Sequence, residues 1–277
     1  MILNLTPNFE PLGPNTIEFE SFLFKGGEPH IKIKTELSEE DEVTITHRLN
    51  SFENVGLMLL AIDALQRMGV EIINVFIPYF PAARQDRVMV PGEPLSVKVY
   101  ANLFNNAGVN WVTVYDAHSE VTAAVLDRCT IVPNHTFIEK VLKDLSDDTL
   151  LISPDGGALK KIYKVSTYLG GREVVEGSKQ RDVKTGKLKA FKVYADDLEG
   201  RDCIIVDDIC DGGGTFLGLA EELKEKGAGK LYLAVSHGIF NRGFEDLNKT
   251  FETIYTTDSF RDLDEPGVKQ IKLKEIL

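Results

Sequence analysis

Three aspartates and three glycines fall within eight residues of this 277-residue chain. Asp207 and Asp208 follow an apolar run at 203–206, and Asp211 directly precedes the glycines at 212–214. The apolar run predicts a buried strand, and the helical spacing of apolar residues after the glycines predicts a helix. The glycines therefore lie between a strand end and a helix start.

The chemistry of these side chains indicates a sugar phosphate. Glycines let the backbone approach a ligand, and a helix start favours an anion, so this loop predicts phosphate binding. Carboxylates in front of the loop repel phosphate but accept hydrogen bonds from sugar hydroxyls. We therefore predict a site for a phosphorylated pentose. A tight structural turn with solvated acids is the alternative.

A second candidate lies after the apolar run 72–77, which predicts a strand closed by Pro78. The turn that follows contains Arg84, Asp86 and Arg87. Guanidinium groups suit bidentate contacts to phosphate. A surface ion network is the alternative for this cluster.

The elements that must position these groups alternate along the chain. Strand and helix patterns alternate from residue 51 to about residue 240, which is typical of a parallel sheet flanked by helices. Ligands of such sheets gather at the carboxyl ends of the strands. The polar side chains that follow predicted strands are Arg84, Asp116, His118, Asp155, Asp207, Asp208 and Asp211.

A repeated spacing of glycine and histidine suggests two lobes with the same fold. Gly108 and Gly227 each precede a predicted strand, and each is followed ten residues later by a histidine, His118 or His237. We predict an N-terminal lobe at 1–140 and a C-terminal lobe at 141–277. A return of the last residues to the first lobe is an alternative to this division.

The segment 170–192 carries seven basic residues against three acidic ones, in a chain whose net charge is −12. Its basic residues include Lys179, Arg181 and Lys184. We predict no regular element for most of it. A mobile flap that closes over polyphosphate is one interpretation, with glycines as hinge points. A solvated β-ribbon is the other.

Composition excludes several classes of function. A net charge of −12 and a pI near 5.0 argue against nucleic acid or an anionic membrane as partner. No run approaches the ~18 apolar residues that span a bilayer, and the N-terminus lacks the basic start of a secretory signal. The three cysteines show no metal-ligand or disulfide spacing. We expect a cytoplasmic protein.

These motifs resemble the ribose-phosphate diphosphokinase family over nearly the whole chain, from Phe24 to Ser259. The resemblance rests on five ordered strings: 78–80 (PYF), 83–87 (ARQDR), 92–94 (GEP), 153–155 (SPD) and 206–215 (VDDICDGGGT). The last string alone fits any phosphoribosyltransferase. Only its combination with the arginine-rich turn of the first lobe is specific to the diphosphokinases.

The resemblance implies an α/β fold of two tandem phosphoribosyltransferase-type lobes, each a mostly parallel sheet flanked by helices. It also implies a transferase of nucleotide biosynthesis. The β,γ-diphosphoryl group of ATP moves to the anomeric hydroxyl of ribose 5-phosphate, giving AMP and phosphoribosyl pyrophosphate. The alternatives are a phosphoribosyltransferase, which has no use for the arginine-rich turn, and a catalytically silent regulatory homologue.

Site residues are carried over from the family position by position. Lys179 and Arg181 match the basic pair that meets the transferring phosphates. His118 and Asp155 match the Mg²⁺ site. The residues that match the ribose 5-phosphate site are Asp207, Asp208, Asp211, Gly212, Gly213, Gly214 and Thr215. The residues that match the ATP site are Phe24, Glu28, Arg84, Gln85 and Asp86. Because the Phe24 segment of the family usually reaches a neighbouring subunit, a homo-oligomer, dimer or hexamer, is implied.

The chain departs from the family pattern in four places. Gly26 replaces an acid of the adenine segment, and Gly156 replaces a histidine after the metal aspartate. Residues 88–91 replace a more basic run, and the chain stops at Leu277, before the usual final helix. The last two regions help form the family's site for phosphate and ADP, so we expect that regulation to be weak.

Overall fold

The computed structural model describes residues 1–181 and 188–277, and these residues form two compact units. The first unit contains residues 1–133 and Leu277, and the second contains residues 134–276. The division thus falls after Pro133. In the described residues, no helix is both long enough and apolar enough to cross a bilayer.

The first unit is built on a parallel sheet with the strand order β1-β4-β5-β6-β7, and a separate antiparallel hairpin pairs β2 with β3. Its elements are β1 (Ile2–Asn4), β2 (Phe19–Leu23), β3 (Pro29–Ile33), β4 (Glu42–Thr46), α1 (Phe52–Arg67), β5 (Ile72–Ile77), α2 (Ser96–Asn106), β6 (Trp111–Tyr115), α3 (Glu120–Val125) and β7 (Cys129–Val132).

Helix α1 shows why these segments fold as they do. The Ser51 hydroxyl accepts a hydrogen bond from the Asn54 amide at 3.1 Å, which satisfies a donor that the first helical turn leaves open. Val55, Met58 and Ile62 repeat at helical spacing and are buried against the sheet core. Gly69, at φ +92°, then ends the segment in a conformation that disfavours other residues.

The second unit contains a sheet with the strand order β10-β9-β8-β11-β12-β13-β14. Every pair in it is parallel except β9 with β10. Its elements are α4 (His135–Leu142), β8 (Leu150–Ser153), α5 (Leu159–Tyr168), β9 (Val174–Arg181), β10 (Leu188–Val193), β11 (Cys203–Cys210), α6 (Gly214–Glu225), β12 (Leu231–Gly238), α7 (Glu245–Thr250), β13 (Thr253–Thr257), β14 (Val268–Ile271) and a 3₁₀ turn (Leu273–Glu275).

Strands β9 and β10 form an antiparallel ribbon at the sheet edge. Two glycines, Gly177 and Gly218, leave the space that this packing requires. A side chain at Gly177 would lie 2.6 Å from the Ser153 carbonyl oxygen, so β9 can run close to β8 only with glycine at this position. A methyl group at Gly218 of α6 would overlap the ring of Phe191 of β10. The ribbon therefore packs on α6 through the Phe191 ring, which lies against the backbone at Gly218.

The predicted alternation of strands and helices is confirmed, and two local predictions are wrong. Strand β11 does not stop at Val206 but runs to Cys210, because its last residues pair with β12 as far as Gly238. The segment 170–192 is not irregular throughout its described residues, because it contains β9, which pairs with β8, and most of β10, which pairs with β9. Lys184 lies outside the described residues.

The contact of Phe191 with Gly218 predicts that a substitution that normally favours a helix will lower the stability of this protein. Gly218→Ala should lower the free energy of unfolding by about 1–3 kcal/mol, because the methyl group overpacks the ring. The control is Gly56→Ala in α1, where the new methyl group meets only Pro29 at an ordinary 3.4 Å. It should raise the free energy of unfolding by up to about 1 kcal/mol. Chemical denaturation measures both, and equal stabilisation by the two substitutions would contradict the packing.

Candidate active site

The glycine loop joins the carboxyl end of β11 to the first turn of α6. Gly213 has φ +78° and stands at the N-cap of the helix. A side chain there would also lie 3.0 Å from Leu247 of α7, so both the backbone conformation and the packing require glycine. The first amides of a helix have no partner within it, and they carry the positive end of its dipole. The loop can therefore receive an anion on backbone amides.

The paired acids lie inside the strand rather than after it. Asp208 is buried, Asp207 is partly buried, and the Asp208 amide donates a hydrogen bond to Asp207 Oδ1 at 2.9 Å. Burial and the neighbouring Asp208 carboxylate raise the pKa of Asp207 well above its ordinary value, and Asp155 adds to the shift. This concentration of carboxylates favours ligands that offer hydroxyl groups or positive charge.

Asp155 lies just beyond β8, the strand next to β11 in the sheet. Its Oδ1 accepts hydrogen bonds from the amides of Gly157 at 2.8 Å and Ala158 at 3.0 Å. Its Oδ2 forms an ion pair with Lys179 of β9. Burial opposes the charge on Asp155, but Lys179 and the two amides outweigh it and lower its pKa. Asp155 is therefore a carboxylate held ionised at the same edge as Asp207.

The ribbon thus brings one of its two predicted basic residues to the acidic edge. Lys179 lies opposite Phe191 in the pairing of β9 with β10, and its side chain is 23% exposed. Arg181 is the last residue of β9, and its side chain lies outside the described part of the chain. The structure therefore places Lys179 beside Asp155, and the position of the Arg181 side chain stays a prediction.

A turn at residues 239–243 packs against the glycine loop, and the sequence motifs did not reveal it. The Asn241 side chain donates a hydrogen bond to Asp211 Oδ1 at 2.6 Å, and its backbone amide donates to the Asp211 carbonyl at 2.9 Å. Asp211 is therefore engaged with this turn. The available signal was position alone, since the turn follows β12 at the same sheet edge as the loop.

In the first unit, the turn after β5 is stabilised by a buried acid. Asp86 is 7% exposed and forms an ion pair with Arg87 at 3.0 Å. Burial raises the pKa of Asp86, but Arg87, Ser119 and His118 together lower it below its ordinary value. His118 follows β6, the strand next to β5. The predicted nucleotide turn and the predicted metal histidine therefore lie close enough to interact.

The two other residues of this turn face solvent. Arg84 and Gln85 are exposed, while the Gln85 backbone is held by its amide donating to the Ala82 carbonyl at 2.9 Å. Asp86 is therefore the structural residue of the turn, and Arg84 and Gln85 are the ones that can reach a ligand. The surface ion network that we considered as the alternative exists as the pair of Asp86 with Arg87.

The hairpin of β2 and β3 presents the predicted adenine segment. Phe24 is 52% exposed and lies edge-on to Phe22, with 5.0 Å between ring centres. Its amide donates to the Glu28 carbonyl at 2.9 Å. The Glu28 carboxylate folds against Gly26, where a side chain would lie 2.5 Å from its Oε2. A side chain at position 26 would therefore meet the Glu28 carboxylate.

Two family models match the chain. The N-terminal domain of ribose phosphate pyrophosphokinase matches residues 10–108, and the phosphoribosyl synthetase-associated domain matches residues 172–258. The first match contains the arginine-rich turn and the hairpin. The second contains β9, β10 and the glycine loop.

Curated relatives cover most of the chain. A ribose-phosphate pyrophosphokinase of Fusobacterium nucleatum is 30% identical over 262 residues, which are 91% of this chain and 81% of that protein. One of Ureaplasma parvum is 35% identical over 191 residues, or 66% of this chain and 56% of the relative. A crystal structure of phosphoribosylpyrophosphate synthetase from Mycobacterium smegmatis matches with a TM-score of 0.86 at 22% identity, covering 99% of this chain and 95% of the other. The fold is therefore of that type, and the chain belongs to the ribose-phosphate pyrophosphokinase family.

Proposed function

We propose that this protein transfers the β,γ-diphosphoryl group of ATP to the anomeric hydroxyl of ribose 5-phosphate. The sugar oxygen bonds to the β-phosphorus, the bond from that phosphorus to the α-phosphate bridge breaks, and AMP leaves. The observation that carries the proposal is one sheet edge of the second unit. There the glycine loop follows β11, two adjacent acids lie within β11, and Lys179 pairs with Asp155 just beyond the neighbouring β8, in a chain of this family.

The second unit supplies the ribose 5-phosphate side. The amides of Gly212, Gly213, Gly214 and Thr215 bind the 5-phosphate, since they belong to the start of α6. Asp207 and Asp208 accept hydrogen bonds from the ribose hydroxyls, and Asp211 lies beside the sugar. Such transfer needs in-line placement of the reacting groups and neutralisation of charge more than covalent help.

Lys179, with Arg181, supplies positive charge to the migrating phosphates. The ammonium group of Lys179 forms its ion pair with Asp155 in the structure. A triphosphate brings more negative charge than one carboxylate and competes with Asp155 for this group. Preorganised cations that meet charge in the transition state are among the largest contributors to catalysis.

The first unit supplies the ATP side. Arg84 and Gln85 are exposed on a turn that Asp86 fixes, and Arg84 carries the fork of donors that fits phosphate. Phe24 and Glu28 contact the adenine. Because Phe24 protrudes from the hairpin with half its surface exposed, we propose that it acts in the site of a second copy of the chain. The protein would then be a homo-oligomer.

The reaction class uses a divalent cation, which we propose to be Mg²⁺. In the described residues, no three His, Cys, Asp or Glu side chains converge as a metal cage. Mg²⁺ prefers oxygen donors and is commonly held by one or two carboxylates, by water and by substrate phosphates, so the Asp155 carboxylate fits this ion. Asp155, already ionised, is the residue of the second unit that would hold it. The metal role of His118 in the first unit stays a prediction of the family resemblance. When bound, the ion would neutralise charge on the transferring phosphates. We propose the cytoplasm as the compartment.

A phosphoribosyltransferase is the second candidate, because the glycine loop and its acids suit that class equally well. The two candidates differ in their use of ATP. Only the diphosphokinase requires the turn at Arg84 and Gln85.

The deciding experiment is an assay of AMP release with ATP and ribose 5-phosphate, with and without Mg²⁺. We expect AMP only when both substrates and the metal are present. Activity on a nucleobase with phosphoribosyl pyrophosphate, without AMP release, would assign the protein to the transferases. Absence of both activities would leave the silent homologue.

Removing the lysine at the acidic edge should affect chemistry more than binding. We expect Lys179→Ala to lower kcat by roughly 10²- to 10³-fold, because the charge it supplies grows in importance in the transition state. Binding of ribose 5-phosphate, measured by calorimetry, should change little. The control is Lys192→Ala on β10, which removes an equal charge that lies 4.8 Å from the Tyr194 ring centre. Similar kcat losses in the two variants would remove Lys179 from the mechanism.

Asp207→Asn should raise the stability of the folded protein and weaken its binding of ribose 5-phosphate. The raised pKa of Asp207 means that its ionised form costs native stability, so the unfolding free energy of the wild type falls as pH rises above the ordinary Asp range. We expect the variant to have a higher thermal midpoint than the wild type at pH 8, and the gap to close near pH 4. Ribose 5-phosphate should bind at least roughly tenfold more weakly. A variant that is less stable at pH 8 and binds sugar normally would contradict both roles.

A further inference from the structure

The phosphate end of the proposed sugar site faces an electrostatic difficulty. The segment 207–215 contains three aspartates and no lysine or arginine. The positive end of α6 amounts to roughly half an elementary charge. A phosphate dianion bound by the loop amides would therefore gain further stabilisation from a cation of another part of the chain. Lys179 is already paired with Asp155, which lies just beyond the neighbouring strand β8.

The 239–243 turn is joined directly to the backbone in front of the glycines. The amides of Ile239 and Phe240 donate to the Cys210 carbonyl at 2.9 and 3.1 Å, and the Asn241 amide donates to the Asp211 carbonyl at 2.9 Å. These three hydrogen bonds continue the pairing of β11 with β12 past the strand ends. The turn is therefore fixed to the backbone that leads into the glycine loop.

Packing fixes the shape of this turn. Phe240 is 3% exposed and lies 4.7 Å from Phe244, measured between ring centres. Phe240 and Gly243 both have positive φ, +48° and +75°, and the Gly243 amide closes the turn on the Phe240 carbonyl at 3.0 Å. A phenylalanine in that backbone region is uncommon and is held there by its buried ring. The residues between Phe240 and Gly243 are consequently presented in one arrangement.

Arg242 is presented by this turn against the first glycine of the loop. Its Cδ and Nε each lie 3.2 Å from the point where a side chain of Gly212 would begin. The residue is exposed, so its guanidinium group is accessible to a ligand. The absence of a side chain at Gly212 thus leaves room for an arginine as well as for a phosphate.

We infer that Arg242 binds the 5-phosphate of ribose 5-phosphate together with the amides of the glycine loop. The inference rests on the proposed function and adds a residue to its sugar site. The planar fork of a guanidinium donates two parallel hydrogen bonds to phosphate oxygens, which a single ammonium cannot do. Arg242 therefore offsets the three carboxylates of the loop and selects phosphorylated over unphosphorylated pentose.

The test compares Arg242→Ala and Arg242→Lys with the wild type in steady-state AMP release and in calorimetry with ribose 5-phosphate. We expect Arg242→Ala to raise the KM and Kd for ribose 5-phosphate by roughly 10- to 100-fold, the range for a charged hydrogen bond. The kcat and the KM for ATP should change less than about threefold. Arg242→Lys should recover part of the affinity, because it restores charge without the fork.

The matched control is Lys249→Ala, which removes a positive charge seven residues away on α7, where Lys249 pairs with Glu245 at 2.7 Å. It should leave the KM for ribose 5-phosphate unchanged. A KM for Arg242→Ala equal to that of the control, with the wild type active, would overturn the inference and leave the proposed function standing. A wild type that neither binds ribose 5-phosphate nor releases AMP would instead overturn the proposed function. Thermal midpoints of all variants separate loss of binding from loss of fold.

Discussion

Repulsion among carboxylates at one sheet edge is the constraint on which the second unit depends. Asp207 and Asp208 are adjacent in β11, and Asp155 follows the neighbouring strand closely enough to raise the pKa of Asp207. Burial makes each charge more costly. Lys179 and two backbone amides stabilise the charge on Asp155. The raised pKa of Asp207 favours its protonated form, which reduces the repulsion. A site with this concentration of negative charge is suited to ligands that offer hydroxyl groups or positive charge.

The surrounding elements serve this arrangement through close backbone approaches. Gly177 lets β9 run beside Ser153 and carry Lys179 to Asp155, and Gly213 lets α6 start against Leu247. Strand β12 continues into the turn that holds Asp211. Sheet, ribbon, loop and turn therefore form one support for groups of opposite charge. The first unit also contains a buried carboxylate stabilised by positive charge, because Asp86 pairs with Arg87 and lies near His118.

Much of this could be predicted from the sequence, because the fold follows from periodicity and the site from strand ends. The apolar run at 72–77 is a local signal, and it forms β5 as predicted. The end of β11 was missed because its pairing partner β12, and not its own composition, carries the strand through two aspartates. The sequence motifs did not point to Arg242, because the one available signal was the position of its turn after β12, at the same sheet edge as the glycine loop. His237 is buried with Nδ1 2.8 Å from the Ser259 hydroxyl, which agrees with a structural role.

The central claim is that the acidic edge of the second unit binds a pentose phosphate with its phosphate on the glycine loop. The most direct measurement is the crystal structure of the protein with ribose 5-phosphate. We predict phosphate density against the amides of residues 212–215 and beside Arg242, with ribose hydroxyls on Asp207 and Asp208. Sugar density at the Arg84 turn, with the glycine loop closed to phosphate, would contradict the account.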